Sequence, residues 1–183
     1  KVEPKKYQSQ INKSDIILHA ASLSRNYQSI YQPKLYYQEN LINLINFLRL
    51  IKKPERKCFY FISTMDVLKF KNYNLITPYI LSKLASERLL VEYAKTTNLK
   101  VVIIRISSLY DKVYADNSRF ISNILKLTKK NKKIFLNKDI NICNYIDMKF
   151  VTNAIIKNVI KQPNKKVTIL QIMNLKNISQ NKI

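Results

Sequence analysis

Tyr79 and Lys83 stand four residues apart, just behind Thr77-Pro78. Pro78 suits the first turn of a helix and keeps the residue before it out of the helical region. Leu84, Ala85, Leu89, Leu90 and Ala94 follow at roughly helical spacing, so Tyr79 and Lys83 share one face of the first turns. Free tyrosine titrates near ~10, and a neighbouring ammonium favours its phenolate. The pair is therefore the raw material of an acid/base working near neutral pH. An ordinary helix whose first face happens to carry Tyr and Lys gives the same letters, because short spacings match easily by chance. Two hydroxyls, Ser63 and Thr64, close the apolar run over 58–62. In an open α/β sheet that is where ligands bind, outside the carboxyl ends of strands. Strand-end hydroxyls that merely satisfy local backbone look the same.

The surrounding elements are legible from periodicity. Short, fully apolar runs within 14–22, 58–62 and 99–106 read as strands buried on both faces of a sheet. The first ends in His19-Ala20-Ala21, where small residues let a ligand approach the backbone; His19 itself reads as a core or strand-end histidine. Residues 22–34 are polar and read as a loop, and 35–51 as an amphipathic helix stopped by Lys52-Lys53-Pro54. A loop over 65–77 leads into the Tyr79–Lys83 helix, which runs to about 96 with Asn98 in the role glycine usually takes. After a polar loop over 107–117 come a helix near 118–129, short strands near 133–136 and 141–147, a helix over 148–161 and a strand over 167–173. This alternation predicts a parallel, doubly wound sheet with right-handed crossovers.

Composition narrows the function classes. Of 183 residues 46% are hydrophobic, enough for one domain with a substantial core. No apolar run reaches the ~18–20 residues that span a bilayer, and residues 1–12 lack a signal-peptide core. Cys58 and Cys143 lie far apart and His19 is the lone histidine, so no metal site is expected. The expectation is a reduced, cytoplasmic protein without a membrane anchor. The net charge of +22 is spread along the whole chain among Asn, Ile and Tyr, a mixture that looks like AT-rich codon bias. It predicts weak, salt-sensitive adhesion to polyanions but no specific nucleic-acid partner. Glycine is absent altogether, where ~7% usage would give about a dozen. Turns that need positive φ must use Asn, Asp or a strained residue, and no glycine-rich phosphate loop exists in the chain.

Five collinear segments over roughly 14–174 resemble the extended short-chain dehydrogenase/reductases, the NAD(P)-dependent nucleotide-sugar epimerase/dehydratase group, and are similar also to the thioester reductase domains of that superfamily. Asp15-Ile-Ile-Leu-His-Ala-Ala21 resembles the family's D-x-x-x-H-x-A-A strand. Asn40-Leu-Ile-Asn-Leu-Ile-Asn-Phe-Leu48 resembles N-V-x-G-T-x-x-L-L, with Asn43 at the glycine. Phe61-Ile-Ser-Thr-Met-Asp-Val67 resembles the segment ending S-S/T-x-x-V. Tyr79-Ile-Leu-Ser-Lys83 with Glu87 resembles Y-x-x-S-K-x-x-x-E. Asn144-Tyr-Ile-Asp147 with Val151, Ala154 and Ile155 resembles Y-V-D-x-V-x-x-A-I.

The resemblance implies a Rossmann-like doubly wound parallel sheet, truncated at the N-terminus and carrying a small C-terminal substrate-side portion. It implies a single domain over 1–183, with core sheet and catalytic segment in 14–110 and substrate-side and closing elements in 111–183. Tyr79 would be the acid/base, Lys83 would lower its pKa and hold the nicotinamide ribose, and Thr64 would hydrogen-bond the reacting oxygen. The backbone at Ala20 and Ala21 would line the cofactor, NAD or NADP, with Tyr79 and Lys83. Ser63, Ser108 and Asn141 would face a small-molecule substrate, a nucleotide sugar or related carbonyl or hydroxyl compound. The family's opening strand–glycine loop–helix unit has no counterpart, Ser108 and Asn141 replace its Asn and Arg, and Asp111-Lys112 replaces its Gly-Pro. This chain alone is thus not expected to hold the whole dinucleotide; a preceding segment or a partner chain would complete it, and a homodimer is one option. The same departures describe a degenerate member that keeps the fold as a binding or scaffold module without catalysis.

Overall fold

A computed structural model describes residues 7–71, 76–111, 120–131, 133, 142–175 and 178–179. The chain folds as two compact units, Lys1–Arg105 with Lys161–Gln171, and Ile106–Ile160 with Ile172–Ile183.

The first unit is built on a four-stranded sheet of order β1-β2-β3-β7, from β1 (Ile16–His19), β2 (Cys58–Thr64), β3 (Lys100–Ile106) and β7 (Val167–Ile172). Strands β1 and β2 run parallel, in register from Ile16 opposite Cys58 to His19 opposite Phe61. Helix α5 (Pro78–Thr97) carries the chain from β2 to β3. This is the parallel, Rossmann-like α/β arrangement that the alternation predicts. Residues 58–62 of β2 and 101–104 of β3 form apolar, largely buried runs, as suits a sheet covered on both faces. Phe59, Phe61, Val101 and Ile103 meet Leu44, Leu48, Leu90 and Ala94 in the main core.

Three local features depart from the periodicity reading. Residues 22–34 are not all loop: α2 (Asn26–Tyr31) forms there, turning the small polar Ser29 inward. The helix expected over 35–51 is α3 (Pro33–Tyr37), a π-helical turn at Gln38–Ile42 and α4 (Asn43–Leu48). The wider turn puts the buried Asn40 side chain where its amide donates to the Leu23 carbonyl and Ser82 hydroxyl while accepting from the Leu23 N–H; such turns recur at functional sites. A 3-10 helix, Met65–Lys71, occupies the start of the expected 65–77 loop. The polar N-terminal region also folds, as α1 (Gln8–Lys13), because Ile11 reaches the core and Lys57 Nζ donates to the carbonyls of Asn12 and Ser14 at the helix end.

The missing glycines leave a backbone signature. Among the described residues, Lys53, Asn98, Asn131 and Gln162 adopt φ between 48° and 59°. Asn98 closes α5 in the left-handed region, as its place after the helix predicts.

The second unit contains β4 (Ser108–Tyr110) parallel to β6 (Tyr145–Asp147), and β5 (Ile142–Cys143) antiparallel to β8 (Ile178–Ser179). Helices α6 (Phe120–Lys129) and α7 (Met148–Lys161) accompany them. Asp147 caps α7, accepting from the amides of Lys149 and Phe150. The expected strand near 133–136 lies outside the described residues apart from position 133.

Candidate active site

The carboxyl ends of β1 and β2 and the first turns of α5 hold six of the eight candidate residues. Ala20 and Ala21 leave the end of β1 exposed. Ser63 and Thr64 are buried at the end of β2. Thr77 starts α5 through its hydroxyl, which accepts from the Ile80 amide, with Pro78 in the first turn. That start places Tyr79 and Lys83 on the inward face, both buried.

Lys83 is only 2% exposed. Its ammonium donates to the Ile62 carbonyl at 2.7 Å and lies 4.6 Å from the Phe61 ring centre. Burial pulls its pKa down to about 8, opposed by the charge of Glu87 one turn further on. Lys83 therefore remains a cation at neutral pH. Tyr79 packs edge-on against Tyr36 at 6.3 Å between ring centres, in a small cluster with Ile80.

Thr64 is tied to the helix start by a chain of polar contacts. Its hydroxyl accepts from the Asp66 amide at 3.2 Å. The Asp66 carboxylate accepts from the Asn26 amide, and Asn26 accepts from the Thr77 hydroxyl at 2.6 Å. Ser63 behaves differently: its hydroxyl donates to Glu87 at 2.5 Å. Glu87, 3% exposed, also receives Nε and Nη2 of Arg105 from β3, the shortest contact being 2.7 Å. The motif letter Glu87 is thus the hub of a buried charge pair, and Asn40 clamps Leu23 to the Ser82 turn. Neither role has a local signal, although an acid at an inward helical position among apolar neighbours is the kind of residue that needs a buried partner. His19, on β1, packs among Phe47, Phe59 and Phe61. Burial first, then the charge of Lys83, lowers its pKa to about 4, so it is neutral at pH 7.

Of the remaining candidates, Ser108 is exposed on β4 of the second unit, its amide donating to the Asn144 carbonyl. Asn141 lies outside the described residues. Among the described residues no group of three or more His, Cys, Asp and Glu side chains could hold a metal ion, and no helix is long and apolar enough to cross a membrane.

The fit to a dinucleotide differs between its two halves. The residues that could meet the nicotinamide half are the small, exposed Ala20 and Ala21 after β1, and Lys83, whose contact with the Ile62 carbonyl of the neighbouring β2 uses one of three ammonium hydrogens. At the pyrophosphate end a cradle of backbone amides needs residues without Cβ, and the chain has none.

A parallel sheet with a Tyr–Lys helix beside its carboxyl edge defines the class: a Rossmann-like domain of the short-chain dehydrogenase/reductase type. Residues 5–143 match the NAD dependent epimerase/dehydratase family, and the chain belongs to it. NAD or NADP is the cofactor of this group. No curated protein matches the sequence significantly. Among solved structures the chain is similar to dTDP-glucose 4,6-dehydratase from Streptomyces venezuelae with NAD bound, at 17% identity and a TM-score of 0.83, covering 98% of this chain and 58% of that one. It is similar to UDP-glucose 4-epimerase from Thermotoga maritima with UDP-glucose, at 16% identity and 0.81, covering 98% and 62%. A third is UDP-N-acetylglucosamine 4-epimerase from Methanobrevibacter ruminantium in complex with UDP-N-acetylmuramic acid, at 16% and 0.78, covering 95% and 59%. At such identities the likeness concerns the fold. The chain spans about three fifths of the length of these three structures.

Proposed function

We propose that this chain carries the proton-transfer half of an NAD(P)-dependent epimerase, dehydratase or reductase acting on a nucleotide sugar or related carbonyl or hydroxyl substrate. The observation that carries the reading is the docking of α5 onto the end of β2, with Lys83 fixed on the Ile62 carbonyl one turn from Tyr79. Tyr79 gives or takes the proton of the reacting substrate oxygen. Lys83, cationic at neutral pH, favours the phenolate and holds the nicotinamide ribose. Thr64 hydrogen-bonds the same substrate oxygen. The backbone of Ala20 and Ala21 lines the nicotinamide side, while Ser63, Ser108 and Asn141 belong to the substrate side. When bound, NAD or NADP supplies or accepts the hydride. The pyrophosphate is held by residues other than these 183, from adjoining sequence or a partner chain. Residues 14–110 supply three of the four strands of the sheet and the catalytic segment, and 111–183 the substrate-side and closing part, with β7 as the fourth strand. A cytoplasmic setting suits the reduced, buried Cys58.

The test is to complete the dinucleotide site and titrate NAD(H) and NADP(H), then assay a panel of nucleotide sugars. Binding of one dinucleotide is expected, with Tyr79→Phe reducing turnover by about 10²–10⁴-fold and leaving that binding in place. A complete protein that binds neither would sink the proposal. The second reading, a binding or scaffold module without catalysis, draws on the absence of glycine and on the Ser63 hydroxyl being taken up by Glu87. A measurable turnover abolished by Tyr79→Phe would exclude it.

A further inference from the structure

Lys83 and Glu87 lie one turn apart on α5 and grip consecutive residues of β2. Lys83 donates to the carbonyl of Ile62, and Glu87 accepts from the hydroxyl of Ser63. The next residue is Thr64. Two contacts spaced a turn apart on a rigid helix, made to adjacent residues of a strand, fix both the height and the rotation of that strand end. The pairing of β1 with β2 reaches only to Phe61, so these contacts act on the stretch just beyond it. Glu87 adds a third element, because Arg105 of β3 reaches it through Nε at 3.1 Å and 3.2 Å and through Nη2 at 2.7 Å. The carboxylate therefore joins α5 to β3 and to β2 at the residue before Thr64, and Arg105 balances its charge in a setting where an unpaired carboxylate is strongly disfavoured.

We infer that Glu87 is a positioning residue: through Ser63 and Arg105 it sets the orientation of the Thr64 hydroxyl relative to Tyr79 and Lys83. It touches neither substrate nor cofactor, and it rests on the proposed function only for its effect on turnover. The brace runs outward to the Asp66 amide, which Thr64 Oγ1 accepts. That amide reports whether Thr64 is held in place. In the main core, Ile103 of β3 is fully buried and reports global stability instead.

Amide hydrogen exchange on the full chain separates positioning from plain stability. Ser63→Ala cuts the tie between Glu87 and β2 while leaving the Glu87–Arg105 pair in place. It is expected to speed exchange at Asp66 by about tenfold or more, with Ile103 unchanged, the signature of a local opening. Glu87→Gln, which keeps an acceptor for Ser63 but drops the charge, is expected to do so less than Ser63→Ala relative to its own global loss. Equal acceleration at Asp66 and Ile103, or no change at Asp66, would overturn the inference. Should Glu87→Gln fail to fold, Ser63→Ala alone decides. In the completed enzyme Ser63, though on the substrate side, spends its hydroxyl on Glu87, so Ser63→Ala should lower kcat by about tenfold with KM within about twofold and Ser63→Thr should restore it, whereas a raised KM with kcat kept would mark direct substrate contact and overturn the positioning role. An unchanged kcat beside a loosened Asp66 would also overturn the functional role. An inactive wild-type enzyme would defeat the proposed function, and exchange would still decide whether Glu87 positions Thr64.

Discussion

The first half of α5 turns Tyr79, Ile80, Ser82, Lys83, Ser86 and Glu87 inward, whereas the second half turns Leu90 and Ala94 inward. Both halves pack against the same unit, yet by different physics. Leu90 and Ala94 are held by area removed from water, which needs no particular orientation. In the polar half every group needs a geometric match. Ser82 donates to the Tyr79 carbonyl, Ser86 to those of Ser82 and Asn40, Lys83 to that of Ile62, and Glu87 receives Ser63 and Arg105. Serines bonding back to their own helix add little stability, and a buried ion pair rarely beats well-packed apolar residues. A chain selected for stability alone would continue Leu and Ala to Pro78. On the proposed function, the polar half is explained by what it orients.

Paired substitutions break this contrast most forcefully. Glu87→Leu leaves the Arg105 guanidinium, with 14% of its side chain exposed, beside no carboxylate. The expected loss is about 3–5 kcal/mol in urea unfolding, and Glu87→Leu with Arg105→Leu together should recover much of it. Leu90→Ala should cost about 2–5 kcal/mol through an unfilled cavity, with no selective loosening of the β2 end. If Glu87→Leu costs under about 1 kcal/mol, the polar half is not an interlocked set.

The same contrast is sharpened by pH. Lys83 is charged at a cost: burial lowers its pKa to about 8, whereas an unfolded lysine titrates near ~10.4. Below pH 8 both states carry the proton and the cost is fully present. Between 8 and ~10.4 the folded chain gives up its proton first, the unfolded chain binds more protons, and stability rises with pH. Lys83→Met removes this titration. The stability of the variant relative to wild type should therefore fall by about 2–3 kcal/mol between pH 7 and pH 10.5. Denaturant midpoints at the two pH values measure it, and a difference independent of pH would show that the ammonium is not penalised in the fold.

How much of this was legible in sequence follows the reach of each interaction. Helix α5 declares itself within twenty residues through Thr77-Pro78 and its inward spacing, and β2 and β3 through unbroken apolar runs. The parallel sheet and the NAD dependent epimerase/dehydratase family follow from their order. Glu87 is different. Its partners Ser63 and Arg105 lie 24 and 18 residues away, so no local period announces them. Asn40 reaches Leu23 and Ser82 across 17 and 42 residues, and its π-helical turn hides within an ordinary amphipathic pattern. Helix α2 is silent for the opposite reason, since the residue it buries is the polar Ser29. Periodicity detects apolar faces, so it finds the half of α5 that packs and passes over the half that positions.

At the far end of the apolar half, the smallest test concerns how α5 stops. Asn98 takes φ 59° in the place of a glycine. A residue with a Cβ in that region costs roughly 1–2 kcal/mol, less for Asn. Glycine would relieve that strain and add about 0.5–1 kcal/mol of chain entropy to the unfolded state. Asn98 also accepts from the Lys166 ammonium, an exposed contact that glycine would lose. The terms nearly cancel, so Asn98→Gly should change stability by less than about 0.5 kcal/mol. Lys53, at φ 52° ahead of Pro54, lacks the local hydrogen bonding that eases Asn into this region. Lys53→Gly should therefore stabilise by about 0.5–1 kcal/mol. Thermal unfolding of the two variants side by side measures the difference. If Asn98→Gly were the more stabilising, the end of α5 would be strained by the missing glycine, and its apolar half would no longer be the part of the helix free of conflicting demands.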